Sequence, residues 1–90
     1  MVNYQLLAVR IEHKLKAHGY AISGDADSIV RDPLGYMNIV LLRYEKQSER
    51  NEQKALDFWE RYKSYKGHRF DEFDEEVAKK FANDISALFA

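Results

Sequence analysis

Asp32-Pro33-Leu34-Gly35, followed by the apolar run Tyr36-Met37-Asn38-Ile39-Val40-Leu41-Leu42-Arg43-Tyr44, is the stretch on which the fold turns. Aspartate suits the first position of a β-turn, proline presets φ at the second, and glycine supplies a left-handed residue at the fourth. The four residues therefore predict a type I turn with a glycine bulge, a common hairpin connection. Ser28–Arg31 would enter this hairpin, and Tyr36 to about Tyr44, rich in β-branched and aromatic residues, would return from it. With Asp32 opposite Tyr36, Ile29 faces Ile39. Alternation then places Ile29, Met37, Ile39 and Leu41 on one face as core. Tyr36, Asn38, Val40, Leu42 and Tyr44 share the other face with Ser28 and Val30. That second set has more apolar area than a solvated face needs, so it is the expected partner-binding surface.

Working outward, residues 3–18 read as a helix. Tyr4, Leu7, Ala8, Ile11 and Leu15 recur at helical spacing, Asn3 is the expected N-cap, and Gly19 the expected stop. Tyr20-Ala21-Ile22-Ser23 is a short candidate strand. Ser48 to Lys66 repeats the helical pattern through Ala55, Phe58, Trp59, Tyr62 and Tyr65, with Gly67 as its stop. A last helix from Asp71 or Asp74 to Phe89 carries Phe73, Val77, Phe81, Ile85, Leu88 and Phe89. Trp59 and Phe81, each central in its stripe, are expected to meet in one core. The expected fold is α+β over a single domain, residues 1–90. An N-terminal helix precedes a small antiparallel sheet of two or three strands, and two C-terminal helices pack on the sheet. Helices could cover one face of that sheet or both.

The chemistry is sparse. Fourteen basic and fifteen acidic residues give a net charge of −1. Residues 1–45 carry five of each sign and residues 46–90 nine basic and ten acidic, so neither half is electrostatically distinct. Such a balance argues against nonspecific nucleic-acid binding by the whole surface. The absence of cysteine removes disulfides, thiolate metal sites and thiol catalysis. His13 and His18 are five apart and miss the i,i+4 spacing that lets two imidazoles share a metal. No nucleophile elbow or phosphate-cradling glycine loop is present. No cofactor is expected, and the chain reads as no enzyme. Its start lacks the pattern of a signal peptide, and no run approaches the ~20 apolar residues of a membrane span, so the expected location is cytoplasmic.

Two charged clusters have ordinary explanations. The acids Asp71, Glu72, Asp74, Glu75 and Glu76 gather where a helix amino terminus favours them. Arg61, Lys63, Lys66, His68 and Arg69 follow a helix carboxyl terminus, where cations are favoured. With Tyr62 and Tyr65 nearby for stacking, they also form the alternative phosphate or nucleic-acid contact.

In layout, Ser28 to Glu49, a strand, a glycine turn, a second strand and a charged helix start, resembles the hairpin of Phd-type antitoxins. It departs from them in lacking their amino-terminal strand and in its ordered last helix. The element order is also similar to that of some small phage-encoded inhibitors of CRISPR nucleases, which are far more acidic. These resemblances concern layout alone. The expected function is a non-enzymatic protein-binding module, a small inhibitor, adaptor or antitoxin-like regulator. Its partner would be another protein or a second copy in a homodimer, and the alternative is a nucleic-acid-binding regulator using residues 61–69.

Overall fold

The computed structural model describes residues 2–47 and 52–89, and all regular structure among them is helical. Five helices follow one another: α1 (Tyr4–Ala17), α2 (Asp25–Arg31), α3 (Pro33–Gln47), α4 (Glu52–Tyr62) and α5 (Glu75–Leu88). Short 3-10 turns at Lys63–Tyr65 and Phe70–Glu72 bridge α4 to α5. The expected antiparallel sheet is therefore wrong, and the hairpin layout shared with antitoxins falls with it. The expected helix start at Ser48 lies outside the described residues.

The hairpin reading failed at Asp32-Pro33-Leu34-Gly35 for a definable reason. A type I turn and the first turn of a helix share nearly the same backbone angles. Aspartate followed by proline marks both, because proline is also favoured at the first helical position. Asp32 is in fact the N-cap of α3. Its Oδ1 accepts from the Gly35 amide at 3.1 Å, and its carbonyl accepts from the Tyr36 amide at 3.0 Å. Gly35 has no positive φ. A Cβ there would instead collide with the Asp32 carboxylate that caps the helix. Asp32 also closes α2 behind it, its amide donating to the Ser28 carbonyl at 3.0 Å. Ser28–Arg31, read as the entering strand, is the end of α2. The third candidate strand, residues 20–23, is irregular chain leading to the left-handed Gly24 that opens α2.

The return strand failed because an almost unbroken apolar run satisfies periods of two and of 3.6 alike. In the helix that forms, Leu34, Met37 and Leu41 are buried, and so is Val40. Ile39, assigned to the core by alternation, points outward with 58% of its surface exposed.

The flanking helices form as expected, except that α4 gives way to a 3-10 turn at Lys63, short of the expected end at Lys66. Asn3 caps α1, its side chain accepting from the Leu6 amide at 3.0 Å, and Leu7, Ala8, Ile11 and Leu15 face inward. Gly19 and Gly67 adopt the left-handed conformation expected of helix stops. Asp74 caps α5 by accepting from the Glu76 amide at 2.9 Å. The helices pack in a ring, α1 on α2, α2 on α3, α3 on α4, α4 on α5 and α5 on α1, around one core. Phe81 sits at its centre, with ring centroids of Tyr62, Phe58, Phe70 and Phe73 at 5.0, 5.2, 5.5 and 5.7 Å. Trp59 is not its neighbour there. Phe58 fills that place, and Trp59 lies half-buried at the rim.

Candidate interaction face on helices α3 and α4

From Pro33 to Leu42, α3 carries no charged residue on any side. A helix apolar all round is normally buried all round. Here only one side is covered. Tyr36, Val40 and Tyr44, spaced i, i+4, i+8, turn toward the domain. Val40 is buried, and the half-buried Tyr44 donates its hydroxyl to the Leu88 carbonyl at 2.6 Å and stacks at 4.5 Å on Phe89. Tyr36 hydrogen-bonds Asp25, and burial together with that carboxylate pushes its phenol well above the usual tyrosine range. Asp25 is itself buried and also accepts from the Ile22 amide. Glu12 fastens the same corner, accepting from the Ala26 amide at 2.9 Å and pairing with Lys16 at 2.7 Å. The Lys16 hydrogen bond holds its carboxyl below the usual range against the opposing effect of burial.

On the outer side, Ile39 and Leu42 lie three residues apart on one face of α3. Ile39 shares a hollow with Ile22 and Arg43, and Leu42 shares another with Asn38, Leu56 and Trp59. Of the five large hydrophobic side chains exposed among the described residues, four line these two hollows, Ile22 with Ile39 and Leu42 with Leu56. Ile39 and Leu42 link the hollows as neighbours along α3. The fifth, Leu6, stands apart in a mixed depression with Val2 and Leu7 on one hand and Arg10, Glu75, Lys79 and Asn83 on the other.

The five residues expected on one strand face are thus divided. Tyr36, Val40 and Tyr44 go inward, while Asn38 and Leu42 stay on the outer face. Sequence reasoning missed Ile22, Ile39 and Leu56. The usable signal was the absence of charge from Pro33 to Leu42, together with Leu56 standing one position off the inward stripe of α4.

The basic segment is largely neutralised locally. Arg61 pairs with Asp84 at 2.8 Å, Lys63 with Glu60 at 2.9 Å, His68 with Glu72 at 3.1 Å and Arg69 with Asp71 at 3.1 Å. The Tyr62 hydroxyl, proposed for stacking, donates instead to Asp84 at 2.6 Å from a buried ring. Burial raises the Asp84 carboxyl, but the Tyr62 and Arg61 hydrogen bonds outweigh it and hold the group below its usual range. Lys66 alone of the five has no ion pair among the described residues.

Among the described residues, no three His, Asp or Glu side chains are grouped to hold a metal ion, and no helix is long and apolar enough to cross a membrane. Comparison with protein-family models, curated proteins and solved structures found no match for this chain. The fold and the face described above therefore define it only as a small helical domain with one apolar side.

Proposed function

We propose that this chain is a non-enzymatic, cytoplasmic protein-binding module, a small inhibitor, adaptor or antitoxin-like regulator, and that α3 and the adjoining α4 surface meet the partner. The observation that carries this reading is the clustering of Ile22, Ile39, Leu42 and Leu56 around a helix segment with no charge. Burying apolar surface contributes about 25 cal/mol per Å², so four adjoining aliphatic side chains hold a substantial unused driving force. A contiguous patch of this kind, with an aromatic side chain at its edge, is the usual mark of an interaction site.

The test is site-specific photo-crosslinking in the native host. A photoreactive residue at Leu42 is expected to capture a polypeptide that the same residue at the exposed Lys79 on α5 does not. Equal capture at the two positions, or none at Leu42, rejects the reading.

A further inference from the structure

We infer that the occupant of this face is a second copy of the same chain, joined to the first by a two-fold axis; this rests on the reading of the face as a protein-binding surface. The charge distribution around the apolar strip is what selects a second copy. On the α3 side, the strip ends at Arg43, which has no ion pair among the described residues and lines the hollow of Ile22 and Ile39. On the α4 side, Leu56 lies between Glu52 and Glu60, spaced four residues to either side and so on the same face of the helix. One edge of the strip is therefore cationic and the other acidic, with uncharged α3 between them.

A two-fold interface requires self-complementarity: whatever one copy presents at one edge must suit what it presents at the other. The α3 and α4 helices pack together with only four residues between them in the sequence, which makes them antiparallel neighbours. An axis lying in the plane of the face and running along α3 past Ile39 and Leu42 places α3 on α3. It carries the Arg43 edge of each copy over the Glu52 end of the other copy's α4, since Arg43 lies toward the end of α3 and Glu52 begins the antiparallel α4. Ile22 and Leu56, at opposite ends of the strip, are exchanged by the same rotation. The net charge of −1 leaves little repulsion between copies at long range. Glu52 is exposed and has no ion pair among the described residues, so it can take a new partner.

Sedimentation equilibrium of the purified chain, from about 1 μM to about 1 mM, tests the inference. Concentration-dependent dimer formation is expected. Leu42→Glu should abolish it while leaving the circular dichroism of a folded helical protein. Arg43→Glu should weaken it roughly tenfold, and adding Glu52→Arg should recover most of that loss. A parent chain that stays monomeric throughout overturns the second-copy inference. So does a dimer indifferent to Leu42→Glu, or a charge reversal that Glu52→Arg fails to rescue. If the chain is monomeric but a residue at Leu42 still crosslinks a different protein, only the second-copy inference falls. If it is monomeric and nothing is captured at Leu42, the protein-binding reading falls with it.

Discussion

Helices α3 and α5 are nearly equal in length, 15 and 14 residues, and both pass through the core, yet they present opposite outer surfaces. The outer side of α5 carries Glu76, Lys79, Lys80, Asn83 and Ser86. The outer side of α3 carries Asn38, Ile39 and Leu42. For α5, polarity alone states which side meets water. For α3, nothing in the helix itself distinguishes the covered side from the open one, and neighbouring elements make the choice. An apolar pattern of helical period thus locates a core, while an apolar pattern of no period says only that contact is needed on every side.

The largest expected effect is at the centre of the sealed half. Phe81→Ala removes a ring surrounded by four others and should cost about 3–5 kcal/mol in urea unfolding, whereas Trp59→Ala, at the rim, should cost roughly half of that or less. A Trp59 variant as damaged as the Phe81 variant would mean that the α3–α4 groove is part of the core.

Next in size is the Asp84 cluster that binds α5 to α4. Because the Asp84 carboxyl is held below its ordinary value in the folded chain, its contribution is complete above the usual carboxylate range. It is lost as pH falls through the depressed folded value. Asp84→Asn should cost about 1–2 kcal/mol at neutral pH and flatten the acid limb of the stability profile. An acid limb unchanged by Asp84→Asn would assign the pH dependence elsewhere.

A smaller but more diagnostic effect lies at the start of α3. Asp32→Ala should cost about 1 kcal/mol through the lost cap. Gly35→Ala should be neutral or destabilising in the parent, where its methyl meets the Asp32 carboxylate. In the Asp32→Ala background it should instead stabilise, by up to about 1 kcal/mol, since alanine is the better helix former. If Gly35→Ala is equally harmful in both backgrounds, the cap does not explain the glycine.

The smallest effect expected is that of Leu42→Lys on the fold. On an exposed site it should move the unfolding free energy by no more than about 0.5 kcal/mol. The same change at Ile85, fully buried on α5, should prevent folding. A Leu42→Lys chain that unfolds would show that the outer side of α3 belongs to the domain's own core.

Much of this protein follows from local sequence alone. Asn3 and Asp74 begin helices, Gly19 ends one, and Gly67 follows the 3-10 turn that closes α4. The stripes of α1, α4 and α5 name most of the buried residues, Trp59 excepted. In each case a cap or a polar face restricts the chain to one period. The paired charges around residues 60–76 are likewise legible as helix-end complementarity.

Residues 20–44 are different. Asp32-Pro33 opens a turn and a helix with equal ease, and Pro33–Leu42 contains too little polarity to declare a period. Only the packing of α3 between α2 and α4 decided that this segment is helical and that Leu34, Met37 and Leu41 face the core. The same packing turned Ile39 outward beside Leu42. Where local preferences are degenerate, the burial gained against neighbouring helices selects the conformation, and with it the side chains left over for a partner.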